Sequence, residues 1–423
     1  MARRLAQPSD PVELLHDGDK VVAERGEPLA HALIAADRLL LARSGKMHRP
    51  RGPYCLRGGC DGCLARVDGE PNVMTCRRPA RGGERIETQN VLGSRSVDML
   101  RATDFLFPRG MDHHRLFAGV RGLSTVVQQF ARRVAGLGRM PDWAAPAREA
   151  RRVELPVLIV GGGAAGLGAA AELGGRALLV DDGLSPGGSL AALGPERALA
   201  LAARAKAAGA RVRSATTALA LYREPEDERG WIHALLSGPE GVELALVDAL
   251  CLAPGCHAPV LPFDNNDLPG VVSARAALWL WRSGIAIGDR VVIVGQGRFA
   301  DAFEAAASSS LSVKRVALEQ VLHASGRSRV GGVVVGDGGG ERRLKADALI
   351  VDGPGAPSFE LAEQSGARLR FDPARGYAPE HDASGQVSPG VWCAGSVVGA
   401  GDSERDGARI AQAMLRRATS RSR

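Results

Sequence analysis

Apolar and polar positions alternate through Val12, Leu14-Leu15 and Val21-Val22 about the turn pair Asp17-Gly18, which predicts a hairpin within residues 11–30. The period becomes helical from Pro28 to Asp37, where Leu29, Leu33 and Ile34 fall on one side. A second hairpin is predicted from 64–67, through Asp68-Gly69, and back through Val73 to Cys76. Hairpin, helix and a glycine-rich loop in this order suit a small ferredoxin-like β-grasp domain over residues 1–100. Over 101–153 the pattern weakens into a basic connector with one helix expected over 123–135. With Phe105, Phe107, Phe117, Phe130 and Trp143 it is too apolar for a free tether, so it is expected to pack between domains.

From residue 157 the pattern is that of an α/β domain. The apolar strand 157–160 runs into Gly161-Gly162-Gly163-Ala164-Ala165-Gly166 and a helix, and a second apolar strand, 177–180, ends at Asp181. The complete unit is a dinucleotide-binding fingerprint. Its glycines let the backbone and the helix N-terminus approach a pyrophosphate, and Asp181 can accept ribose hydroxyls. A like unit follows, strand 291–294 then Gly295-Gln296-Gly297 and a helix, with Ala300 in place of the third glycine. Its best ribose acid is Glu319, which leaves nucleotide binding and a structural relic both open there. A C-terminal return through Gly390 to Gly395-Ser396, then a helix from about 405 to 417, completes a flavoprotein with two dinucleotide domains. The expected division is 154–268 with 352–423 for FAD and 269–351 for the second, NAD-like domain, so the fold class is multi-domain α/β.

The chemistry concentrates at Cys55, Cys60, Cys63 and Cys76, a C-x4-C-x2-C…C run with the spacing of plant-type [2Fe-2S] centres. Four thiolates are needed to hold two irons, and Gly58, Gly59 and Gly62 permit backbone N–H groups to come close to sulfur. Zinc is the plainer rival, although its structural sites usually take cysteines in closely spaced pairs and Cys76 stands alone. Cys251 and Cys256 share a C-x4-C spacing but bracket a turn, which reads as structural rather than redox-active. His113-His114 would point apart on any regular element, and His48 and His257 read as hydrogen-bonding groups beside turns.

Seven cysteines in this arrangement are no disulfide framework, so a cytoplasmic protein is expected. No apolar run is long enough for a membrane span, and no apolar run follows the basic N-terminus as secretion would need. Residues 1–153 hold 26 Lys/Arg against 17 Asp/Glu, whereas the remainder holds 28 against 30. The arginines are interleaved with acids and glycines and no nucleic-acid motif accompanies them, so the basic front half reads as a solvated or partner-facing surface.

These motifs resemble the alpha-subunit group of heterotetrameric sarcosine oxidase, hydrogen cyanide synthase and opine oxidases, over nearly the whole chain. The resemblance is carried by His48-Arg-Pro-Arg-Gly52, Val67-Asp-Gly-Glu-Pro-Asn72, Pro186-Gly187-Gly188, Ala253-Pro-Gly255 and Leu268-Pro-Gly-Val-Val272. It implies FAD held by Gly161, Gly163, Ala164, Ala165, Gly166, Asp181, Gly187, Gly188, Gly255, Gly395 and Ser396, one [2Fe-2S] cluster, and NAD(P) as a further candidate at Gly295 and Gly297. Departures are also visible. Sarcosine oxidase alpha subunits generally lack the cluster cysteines and continue into a folate-binding region, so one-carbon transfer is not expected of this sequence. Only Cys393 lies where the cyanide synthase type has a further cysteine cluster. Ser396 replaces the aspartate of the usual Ala-Gly-Asp beside the flavin ribityl chain, with Asp402 as its candidate substitute.

The resemblance implies an oxidoreductase subunit. A partner, a beta-type FAD-dependent amine or amino-acid oxidase, would take a hydride from an amine, amino acid or opine, and electrons would pass through this chain to an acceptor. No histidine, lysine or carboxylate stands out in the sequence as an acid or base for substrate oxidation, which fits that division of labour. Two other readings stay open: a self-contained NAD(P)H-dependent FAD/iron-sulfur reductase, and a non-catalytic scaffold.

Overall fold

The computed structural model describes residues 1–44, 48–91, 141, 143, 149–224, 229–336 and 339–421. The chain forms two compact units, Met1–Ala145 with Val260–Asp352 and Pro146–Pro259 with Gly353–Arg423. The helix expected over 123–135, the connector phenylalanines and His113-His114 lie outside the described residues.

In the first unit, β1 (Pro11–His16) and β2 (Asp19–Glu24) form the expected hairpin. Its turn residues Asp17 and Gly18 have φ of 51° and 87°, the positive values that a two-residue turn matching strand twist requires. Val12, Leu14 and His16 of β1 point inward, and α1 (Leu29–Ala35) buries Leu29, Leu33 and Ile34. β3 (Leu64–Val67) and β4 (Glu70–Met74) repeat the hairpin across Asp68-Gly69, and β5 (Arg85–Glu87) closes the sheet. The order is β2-β1-β5-β3-β4, with β1 and β5 parallel in the middle. One helix on a mixed five-stranded sheet is a β-grasp arrangement.

The second unit opens with β6 (Arg151–Val160), whose last four residues are buried. It begins at Arg151, ahead of the expected start at 157, because its polar front half pairs with β11 from Glu243 onward and Arg151 reaches the Glu243 carboxylate at 2.8 Å. Then follow α2 (Ala164–Leu173), β7 (Ala177–Val180), α3 (Pro195–Ala207), β8 (Arg211–Arg213), β9 (Thr217–Tyr222), β10 (Ile232–Gly238) and β11 (Gly241–Leu252). The strand order is β8-β7-β6-β11-β10-β9. The four strands at the β8 end are parallel; β7 and the last four residues of β6 are buried throughout, so they read as continuous apolar runs.

The chain then re-enters the first unit. β12 (Val271–Ser273), α4 (Ala274–Arg282), β13 (Arg290–Gly295), α5 (Arg298–Ala307) and β14 (Ser312–Val316) lead to an antiparallel sheet of β15 (Val321–Gly326), β16 (Val330–Gly336) and β17 (Glu341–Lys345), then β18 (Ala348–Asp352). The parallel sheet has the order β12-β18-β13-β14. Back in the second unit, β19 (Gln386–Ser388) and β20 (Val391–Cys393) join the large sheet, β20 parallel to the end of β11, and α6 (Ser403–Arg421) closes the chain.

Helices α2 and α6 approach closely because small residues line their contact. A Cβ on Gly407 would fall on the Ala165 carbonyl, and one on Gly168 would lie 2.5 Å from the Glu404 carbonyl oxygen. This contact sets α2, and with it the first glycine turn, against the return segment. Gly407→Ala is therefore expected to lower unfolding free energy by about 1–3 kcal/mol, the cost of overpacking a tight interface. Gly401→Ala, where a Cβ meets nothing within 4 Å, is expected to change stability by less than about 0.5 kcal/mol. Urea unfolding of the two variants checks the contrast.

Candidate cofactor sites

The cysteine loop lies between α1 and β3, and its four sulfurs meet as two pairs. The Cys55 and Cys60 thiols hydrogen-bond one another, as do those of Cys63 and Cys76. Cys55, Cys63 and Cys76 are buried and Cys60 is half-buried; none is in a disulfide. Backbone donors surround the sulfurs: Arg57 N lies 3.4 Å from Cys55 Sγ and Gly58 N 3.3 Å from Cys76 Sγ. The amides of Gly59 and Gly62 address Cys55 and Cys60. The hydrogen bond from Cys60, with amide support, lowers Cys55 to about 6 against the opposing effect of burial. Cys76 lowers Cys63 in the same way, and Cys60 and Cys76 are raised as the donors of their pairs.

This is the donor set that two bridged irons need, two thiolates for each metal with N–H groups to meet the charge on sulfur. A tetrahedral zinc would gather its ligands about one centre. Here the thiols meet as two separate pairs, Cys55 with Cys60 and Cys63 with Cys76. The residues fit a [2Fe-2S] cluster.

Glycine is forced on the loop by close backbone approach. A Cβ on Gly62 would fall on the Gly52 carbonyl, and one on Gly52 on the Leu39 carbonyl. Gly58 has φ of 73° and its open side faces the Arg77 stem.

Within the same unit the loop is mounted on the Leu268-Pro-Gly-Val-Val272 segment. Arg49 makes bonds of 2.7 and 2.8 Å to both Asp267 carboxylate oxygens, Arg51 makes one of 2.5 Å, and Arg49 also donates to Asn265 at 3.0 Å. The Tyr54 carbonyl accepts the Ser273 amide at 3.1 Å, and its ring packs on the core around Val271 and Val292. Burial pushes the Tyr54 phenol upward, reinforced by the fields of Cys60 and Cys55. Burial pulls the Asp267 carboxyl upward, but Arg49 and Arg51 outweigh it and hold it below its ordinary value of 3.8.

In the second unit, Gly161 to Gly166 form the first glycine turn between β6 and α2. Gly161 has φ of 108°, and a Cβ on it would fall on the Ala253 carbonyl; one on Gly166 would fall on the Gly161 carbonyl. A Cβ on Gly163 meets nothing within 4 Å, so the turn is open on the side a pyrophosphate would approach. The buried Asp181 carboxylate receives Gly162 N at 2.5 Å and Gly183 N at 2.9 Å, and Gly187 N donates to Gly162 O at 2.7 Å. Ala164, Ala165, Asp181, Gly187 and Gly188 are thereby gathered at this turn. Gly395 joins them, since a Cβ on it would lie 2.7 Å from the Ala165 Cβ, and Gly255 lies beside the Ser396 hydroxyl.

Ser396 sits in the turn after β20. Its carbonyl accepts from Arg375 and, at 3.3 Å, from the Cys256 thiol, while Gly395 N donates to Asp406 at 2.8 Å. Asp402, the candidate substitute for the missing aspartate, accepts from Arg405 N at 3.1 Å and caps α6. Cys251 is buried in β11, where burial pushes its thiol up to about 12, and Cys256 lies at the Ser396 turn; both are free thiols. His257 pairs with Glu360 at 2.8 Å, and the buried His48 accepts from Arg43 through its carbonyl at 2.8 Å.

The second glycine turn, Gly295 to Gly297, lies in the first unit between β13 and α5. Here a Cβ on Gly297 would lie 2.6 Å from Asp352 Oδ2, which accepts Ala300 N at 2.8 Å. Glu319 is exposed, beyond the end of β14. Sequence reasoning missed Asp352, Asp406, Arg375 and the Arg49-Arg51-Asp267 mount. Asp352 had a visible signal, an acid ending an apolar strand immediately before Gly353-Pro354. The others become neighbours only through folding.

Comparison with known proteins agrees with this geometry. Residues 9–91 match the family of 2Fe-2S iron-sulfur cluster binding domains. The chain is similar to the sarcosine oxidase alpha subunit of Rhizobium meliloti (strain 1021), 26% identical over 415 residues covering 86% of this chain and 42% of that one. The subunit of the same name from Corynebacterium sp. (strain P-1) is 26% identical over 410 residues, covering 84% and 38%. The chain thus spans less than half the length of these curated relatives. Among solved structures it resembles L-proline dehydrogenase from P. horikoshii, with a TM-score of 0.75 and 20% identity over 99% of this chain and 76% of that one. T. acidophilum thioredoxin reductase gives 0.52 and 19% over 63% and 99%. The fold is that of a flavoprotein with two dinucleotide-type domains and an N-terminal 2Fe-2S domain.

Replacing Cys60 or Cys63 with serine is expected to abolish the cluster's visible absorption and low-temperature EPR signal while FAD stays bound, checked by spectra and by flavin content after gel filtration. For the mount, Asp267→Asn is expected to cost on the order of 1 kcal/mol in a partly solvated ion pair. Because the folded carboxyl titrates below its unfolded counterpart, the stabilisation is complete above about pH 4 and is lost as pH falls through the folded value. Urea midpoints of the two proteins should therefore converge on acidification.

Proposed function

We propose that this chain is the FAD- and [2Fe-2S]-carrying electron-transfer subunit of a complex that oxidises an amine, amino acid or opine. The observation that carries the reading is the presence in one chain of a paired-thiol loop built for two irons and a dinucleotide turn left open at Gly163. When bound, the flavin accepts electrons two at a time and the cluster passes them singly. The chain's residues supply the settings. Amides of the 57–62 loop meet the charge on sulfur, Asp181 and Gly187 fix the first turn, and Arg375, Cys256 and Asp406 hold the Gly395-Ser396 segment.

A partner subunit of the beta-type, an FAD-dependent amine or amino-acid oxidase, is the proposed electron source. The similarity to two proteins named as alpha subunits supports a multi-subunit assembly. All seven cysteines are free, which suits a reducing compartment, and we place the chain in the cytoplasm. Among the described residues no helix is long and apolar enough to cross a membrane.

The test is anaerobic spectroscopy of the purified chain and of the native complex recovered with it. The expected result is bleaching of the flavin and appearance of a reduced-cluster EPR signal only when partner and amine are both present. Direct bleaching of the isolated chain by NADH would overturn the reading.

A further inference from the structure

The two glycine turns align residue by residue in sequence, although the glycines that start their helices differ in backbone, Gly163 at φ −75° and Gly297 at φ 162°. Gly161, Gly163 and Gly166 correspond to Gly295, Gly297 and Ala300, and α2 corresponds to α5. In both, the first glycine backs onto a carbonyl at the end of the neighbouring parallel strand, that of Ala253, just past β11, in one and of Asp352, the last residue of β18, in the other. The equivalent of Asp352 in the flavin-type domain is therefore Ala253, whose side chain is a single methyl. The surroundings of the two turns differ accordingly. Beside Gly163 a Cβ meets nothing within 4 Å, whereas beside Gly297 it meets Asp352 Oδ2, Cγ and Oδ1 at 2.6, 2.8 and 3.0 Å.

The Asp352 side chain lies beside Gly297 and over the start of α5. It is 3% exposed, and it takes the amide of Ala300 in the first turn of α5 at 2.8 Å. A helix N-terminus beside a glycine turn attracts an anion through its amides and its dipole, and here the chain supplies that anion itself. A pyrophosphate entering the same turn would have to displace a carboxylate from its donor and then share the space with its charge.

We propose that Asp352 is a built-in occupant of the pyrophosphate position, which closes the second dinucleotide fold to NAD(H) and NADP(H). The domain keeps its sheet and glycine turn, but the ligand's place is filled from β18. What remains in use is its opposite commitment, the mount that Asp267, Pro269 and Ser273 provide for the cysteine loop. This assignment goes beyond the proposed function and does not depend on which amine the complex oxidises.

The experiment is calorimetric titration of the FAD-saturated protein with NADH, so that the first turn is already filled. Wild type is expected to show no saturable binding. Asp352→Ala, which copies Ala253, is expected to tighten NADH binding by at least about tenfold. Asp352→Asn keeps the size of the side chain and an acceptor for Ala300 N while removing the charge; it is expected to fall between the two and serves where the alanine variant does not fold. Saturable binding of NADH to wild type would overturn the proposal. Absence of binding to every folded variant would also overturn it, because the closure would then not be the work of Asp352.

Discussion

A thiolate taken out of water needs donors, and the geometry around the cysteines is set by that need. Amides can reach four neighbouring sulfurs only if the loop bends sharply and approaches other backbone without side chains in between. Gly52 and Gly62 each face a backbone carbonyl that leaves no room for a Cβ, and Gly58 takes a positive φ of 73°. The loop buries Leu56, yet an isolated loop of this kind would still bear the entropy of being held in one conformation. Its order comes from outside, through the β3-β4 hairpin, which returns Cys76 to Cys63, and through the arginine pair anchored on Asp267. The same unit thus contains both the demand for order and the platform that meets it.

The second constraint is electrostatic and separates two turns that share their glycine spacing and their place between strand and helix. A glycine turn running into a helix presents the same amides and the same dipole wherever it occurs. What distinguishes a ligand site from a packed junction is whether those donors face open space or a side chain. In the turn at Gly163 the nearby acid, Asp181, is bound to Gly162 and Gly183 and leaves the region beside Gly163 clear. At Gly297 the acid comes from the neighbouring strand and lies over the turn itself. The fingerprint therefore describes a backbone, and its function is decided by one residue outside it.

Much of this was legible in the sequence because it rests on local rules. Asp-Gly turns between alternating strands, apolar runs before glycine turns and the spacing of the cysteines are each fixed within a few residues, and the hairpins and the strand-turn-helix units are found where expected. The strand beginning at Arg151 was not legible, since its polar front half is stabilised by a partner some ninety residues away rather than by burial of its own side chains. The return of Cys76 to the other three cysteines was legible from the hairpin, whereas the mount of the loop was not: Arg49 and Asp267 are 218 residues apart and neither belongs to a motif with chemical meaning. Asp352 lay between these cases, visible as an acid at a strand end but without meaning until compared with Ala253.

The same distinction bears on the serine at 396. If the aspartate usual at that position served mainly to fix the turn, its loss should leave the segment slack. Instead, the Gly395 amide is taken by Asp406 from α6, and the Ser396 carbonyl by Arg375 and Cys256. Gly395 keeps the positive φ of 83° that brings it against Ala165, and Ser396 remains beside Gly255. Three side chains from separate parts of the second unit thus hold the backbone that one local carboxylate would otherwise influence. Shape and direct ligand contact are separable duties of such a turn. In this chain the first is carried by neighbours, and we propose that the second falls to the hydroxyl of Ser396 and the backbone beside it.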